Sequence, residues 1–124
     1  MEGDMFKDWQ EMATRLTGDI RALRAGAPDV MKGFSALAQA ALKSDALETK
    51  TKELIALAIA VATRCDGCIA FHAEAAMKQG ASRAEVLEAM GMAVYMGAGP
   101  SVMYAAQALE AFDQFSTKAT AQAA

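Results

Sequence analysis

The chain has 124 residues, enough for one domain with a core of its own. Its formal net charge of −3 argues against a nucleic-acid binder, which needs a basic face. No stretch approaches about 18 uncharged apolar residues, so no membrane-spanning helix is expected.

The elements read as helices from one end to the other. Asp4 opens a stretch in which Met5, Trp9, Met12, Leu16, Ile20 and Leu23 recur every three or four residues. Gly26 ends it. Pro28 suits the first turn of a second helix, with Val30, Phe34, Leu37, Ala41 and Leu42 along one side. Residues 44–48 read as a connection. A third helix is expected from about Thr49 to Arg64. Its second half, residues 54–62, is apolar on every side, which predicts central burial. Cys65 to Gly67 reads as a turn, and a fourth helix starts near Cys68 and ends at Gly80, a natural left-handed cap. Ser82 followed three residues later by Glu85 is a capping box that opens a fifth helix. Its apolar face is Val86, Leu87, Met90 and Val94. Gly97-Ala98-Gly99-Pro100 breaks it, and a sixth helix carries Val102, Ala106, Leu109, Phe112 and Phe115. The tail, 117–124, is expected to fray. The fold class is therefore all-α: one domain over 1–124, a bundle of about six helices.

Chemistry is concentrated in one segment. Cys65 and Cys68 are the only cysteines, and His72 is the only histidine. Near the first turn of a helix, unpaired backbone N–H groups and the helix dipole favour the thiolate of Cys68. His72 lies at i+4 from Cys68 and can exchange a proton with it. Cys65 is placed to close a disulfide once Cys68 has been oxidised. Glu53 is too far from the cysteines along its own helix. If helix four returns antiparallel to helix three, however, His72 comes near Glu53. That gives the order Glu53, His72, Cys68, Cys65, with the carboxylate orienting the imidazole.

These residues resemble the AhpD-like alkylhydroperoxidase branch of the carboxymuconolactone decarboxylase family. The resemblance rests on Glu53, then Cys65-x-x-Cys68, then His72 after three further residues. It also rests on the flanking runs Lys52 to Ala58, Ile69 to His72 and Ala75 to Ala81. It covers about residues 45–110. It implies a thiol peroxidase or disulfide oxidoreductase acting on a small hydroperoxide and recharged by an external dithiol or a redox protein. Cys68 would be the peroxidatic thiol, Cys65 its resolving partner, and His72 with Glu53 the proton relay. It further implies a homo-oligomer, a trimer or a hexamer built from trimers. An apolar content of 54% also points to a buried subunit interface. One position departs from the pattern: some members carry a second histidine immediately before the second cysteine, where this chain has Gly67.

No cofactor and no metal is expected. Three readings compete with the peroxidase. Cys65, Cys68 and His72, with Glu53 or water, offer zinc ligands, but a structural site usually has a second ligand pair and this chain has none. A redox-sensing oligomeric module would use the same thiols without turnover. A lactone decarboxylase-type lyase would use His72 and Glu53 as acid and base. Tyr95, Tyr104 and the nine methionines are read first as packing or interface residues. The acidic start, Met1 to Asp4, lacks the basic region of a secretory signal, so a cytoplasmic location is expected. There, a lone Cys-x-x-Cys is a redox or metal motif more often than a structural staple.

Overall fold

The computed structural model describes residues 5–123. Asp4 and the rest of the acidic start lie outside them. Five helices follow one another: α1 (Trp9–Gly26), α2 (Pro28–Leu42), α3 (Thr49–Thr63), α4 (Asp66–Lys78) and α5 (Arg83–Ala123). No strand occurs among the described residues. Nor is any helix there long and apolar enough to cross a membrane.

The helix count differs from six because the last two expected helices form one element. Within α5, Ala98 adopts φ 54° and ψ −141°, so the element is two helical arms joined at a kink. Pro100 contributes, since it has no N–H to continue the ladder. Gly97 is needed there: a Cβ at that position would overlap the Ser101 hydroxyl.

Local chemistry sets the other boundaries. α1 is capped by Asp8, whose carboxylate accepts the Glu11 N–H at 3.0 Å. Pro28 occupies the first turn of α2. α3 ends at Arg64 in the left-handed region (φ 57°), and the Cys65 N–H then returns to the Ala60 carbonyl. α4 begins at Asp66, two residues earlier than its apolar pattern indicates, because Cys65 itself is the cap. Past its end, Gly80 takes φ 85°, the backbone freedom expected of it. The capping box forms both ways: Glu85 N–H donates to Ser82 Oγ at 3.1 Å, and Ser82 N–H to Glu85 Oε1 at 2.8 Å.

The core lies where α3, α4 and α5 pack on one another, with α1 laid across α4 and the far arm of α5. Trp9, Leu57, Val61, Ile69 and Val86 are fully buried there. Truncating Trp9 to alanine would cost about 3–5 kcal/mol on the usual scale for a large core side chain. Alanines let the helices approach: Ala70, Ala73 and Ala76 of α4 and Ala108 and Ala111 of α5 are all inaccessible.

Three expectations of burial require correction. α3 is not enclosed on all sides, since Ile55 and Ile59 are 44% and 56% exposed. α2 buries no residue, and its apolar stripe of Val30, Phe34 and Leu37 faces outward. In the far arm of α5 the buried set is Ser101, Ala105, Ala108, Ala111, Phe112 and Phe115, with Val102 and Ala106 exposed. The reason is common to all three. Hydropathy marks which residues are apolar, but not which of them the fold of this chain brings together.

Candidate functional site

The site is built where α3 hands over to α4. The left-handed turn at Arg64 reverses the chain, so α4 runs back beside α3. Cys65 caps α4, and its sulfur accepts the Cys68 backbone N–H at 3.3 Å. Cys65 and Cys68 are joined as a disulfide, with their Cα atoms 5.2 Å apart. Both residues are partly buried. Free backbone N–H groups and the positive end of the helix dipole surround a pair in this position. The same geometry favours thiolate over thiol when the bond is reduced.

One turn further along α4, about 6 Å of rise, His72 occupies the same face as Cys68. Its Nδ1 lies 2.6 Å from Glu53 Oε1 across the α3–α4 contact. Glu53, 5% exposed, is the one buried charged side chain among the described residues, whereas the His72 ring is about one third open. A buried carboxylate needs a donor. Nδ1–H supplies it and leaves Nε2 free of that bond to accept or deliver a proton. The neighbouring lysines are engaged elsewhere. Lys50 pairs with Glu85 at 3.0 Å, and Lys52 donates to the Lys43 carbonyl at 2.6 Å. The four residues named from the sequence thus form two direct pairs, linked through one face of α4.

Both residues between the cysteines are held by the N-terminal segment. Lys7 Nζ lies 2.6 Å from Asp66 Oδ2. A Cβ on Gly67 would stand 3.0 Å from Leu16 Cδ1, so a larger residue there needs the tip of that side chain to shift by a few tenths of an ångström. Lys7 also sits among three rings: its Nζ is 5.6, 5.4 and 5.6 Å from the centroids of Phe6, Trp9 and Tyr104. The segment is fastened to α5. Glu110 accepts from Phe6 N–H at 2.6 Å, Lys7 N–H at 3.1 Å and Trp9 Nε1–H at 2.8 Å. Gln114 exchanges hydrogen bonds with Trp9 N–H and the Lys7 carbonyl, at 2.9 and 2.7 Å.

Sequence reasoning missed Lys7 and Asp66. Fifty-nine residues separate them, and no local spacing rule connects such a pair. Of the two tyrosines, Tyr104 faces Lys7, while Tyr95 is 79% exposed. Two open clefts, of about 320 and 380 Å³, lie along α1, and neither is lined by Cys65, Cys68, His72 or Glu53. Among the described residues no three His, Cys, Asp or Glu side chains are arranged to hold a metal ion.

The sequence profile of the carboxymuconolactone decarboxylase family matches residues 28–111. A solved apo structure of a protein of that family from Legionella pneumophila is 55% identical, covers 87% of this chain and 96% of its own, and superposes with a TM-score of 0.86. A family protein from Thermotoga maritima, 24% identical over 89% of this chain and 94% of its own, shares the fold with a TM-score of 0.79. An uncharacterized protein from Haemophilus influenzae is 44% identical over 87% of this chain and 96% of its own length.

Proposed function

The chain belongs to the carboxymuconolactone decarboxylase family, and within it we propose that it is a thiol-dependent peroxidase of the AhpD-like type. The observation that carries this reading is the Cys65–Cys68 disulfide at the head of α4, with the Glu53–His72 pair one turn along the same helix.

Each residue then has a chemical task. The Cys68 thiolate attacks the terminal oxygen of a hydroperoxide. The O–O bond breaks, the leaving alkoxide takes a proton by way of His72, and Cys68 becomes a sulfenic acid. Cys65 attacks the Cys68 sulfur, water leaves, and the disulfide closes. An external dithiol, free or on a redox protein, returns both cysteines to thiols by two exchanges and is itself oxidised. Glu53 holds the imidazole through Nδ1 and stabilises it when it is charged. The protein works as a homo-oligomer, a trimer or a hexamer built from two trimers, in which further copies cover the outward stripes of α2 and α3.

Intact mass tests the thiol assignment. Reduced protein treated with one equivalent of hydroperoxide should lose two hydrogens. The Cys65→Ser variant should retain a trappable sulfenic acid, and Cys68→Ser should not react. Unchanged peroxide consumption by Cys68→Ser refutes the assignment. The buried Glu53–His72 pair also suits a second reading, a lyase of the lactone decarboxylase type. Activity on a lactone acid that survives replacement of both cysteines would support that one.

A further inference from the structure

Asp66 presents a physical problem. It is the first residue of α4 and lies between the two cysteines. An acidic side chain at a helix start favours the helix. Here, however, it also puts a negative charge one residue from Cys65 and two from Cys68, whose sulfurs must become negative to react. Unopposed, it would disfavour the thiolate and so weaken the reduced form of the pair.

Lys7 answers that charge directly, through the 2.6 Å contact to Asp66 Oδ2. The contact is not a loose surface pair. The Lys7 and Asp66 side chains are 28% and 34% exposed. The ammonium is flanked by Phe6, Trp9 and Tyr104, whose ring faces attract a cation. The backbone that carries it is fixed by Glu110 and Gln114 of α5. Placing this lysine thus engages two elements distant in sequence.

We propose that Lys7 is a positioning residue for the cysteine pair: anchored on α5, it neutralises Asp66 and keeps the reduced thiols reactive. This rests on the redox reading of Cys65 and Cys68. The charged groups around the pair are Asp66 and His72 on α4, Glu53 on α3 behind His72, Arg64 in the preceding turn, Lys7, and Glu110 holding the Lys7 segment. Lys7 is the one of these that both contacts a residue of the Cys-x-x-Cys segment and comes from outside α3 and α4.

The sign of the effect follows. A less stabilised thiolate makes the dithiol a poorer nucleophile near neutrality, and it makes the disulfide harder to reduce. Removing Lys7 should do both. Removing the Asp66 charge while Lys7 remains should do the opposite. A loosened structure would move both variants in the same direction, so opposite signs are the electrostatic signature.

The experiment equilibrates full-length wild type, Lys7→Met, Lys7→Arg, Asp66→Asn and the Lys7→Met/Asp66→Asn double variant with dithiothreitol redox buffers. The disulfide fraction is read by mass, and the iodoacetamide reaction rate of the reduced proteins is measured against pH. Lys7→Met should shift the exchange constant roughly threefold toward the disulfide, and Asp66→Asn about as far toward the dithiol. Lys7→Arg and the double variant should lie near wild type. If wild type cycles but the single variants match it, or both shift the same way, the Lys7 assignment is wrong. If wild type forms no Cys65–Cys68 disulfide in any buffer, the redox reading itself falls. Should Lys7→Met fail to fold, Asp66→Asn alone still tests the sign.

Discussion

Glu53 and His72 meet at 2.6 Å across two antiparallel helices, nineteen residues apart in the chain. The carboxylate is buried and the imidazole is partly open. That asymmetry leaves the inner group fixed and the outer one open to solvent, on the helical face it shares with Cys68. Proton transfer by a positioned imidazole contributes on the order of a hundredfold or more. His72→Asn should lower peroxide turnover by about that factor. Glu53→Gln should cost less, because an amide can still accept the Nδ1–H bond but no longer offsets a charged ring. Stopped-flow peroxide consumption across pH checks both. Wild-type rates in His72→Asn would remove the imidazole from the mechanism.

The outward stripe of α2 predicts assembly. Val30, Phe34 and Leu37 are 71%, 60% and 64% exposed, and they fall at i, i+4 and i+7 on one face. Ile55 and Ile59 of α3 add a second exposed apolar strip. Such surface marks an interaction site more often than a solvated face. Wild type should run as an oligomer by light scattering at micromolar concentration. Phe34→Glu together with Leu37→Glu should reduce the mass toward that of one chain, while helix content by circular dichroism is retained. A monomeric wild type would contradict the assembly.

Stability should depend on pH through Glu85. Its carboxyl is held below the ordinary value of 4.5, first by the Ser82 N–H and next by the Lys50 ammonium. A carboxylate whose pKa is depressed on folding adds stability above its unfolded value, and that contribution fades as pH falls through the folded one. Wild type should therefore melt above Glu85→Gln at pH 6, and the gap should narrow below pH 4.5. Thermal melts of both proteins across that range are the check, and a gap independent of pH would rule out the charge as its source.

Much of this protein was legible before its fold was known. The all-α class, the capping box at Ser82 and Glu85, the proline at the start of α2 and the break near Gly97 follow from rules that act within about four residues. The segment from Cys65 to His72 was legible for the same reason, since i and i+4 share a helical face whatever surrounds the helix. The nearness of Glu53 to His72 needed one further step, the antiparallel return of α4. A left-handed turn at Arg64 performs that step.

Tertiary structure alone decided the rest. Whether Ile55, Phe34 or Val102 is covered depends on which surfaces meet, and hydropathy treats all apolar faces alike. That Gly67 admits Leu16, and that Lys7 crosses fifty-nine residues to Asp66, depends on where α1 comes to rest. A helix start and a helix face are local properties of a chain. A contact between distant segments exists only once the core has set the distance between them.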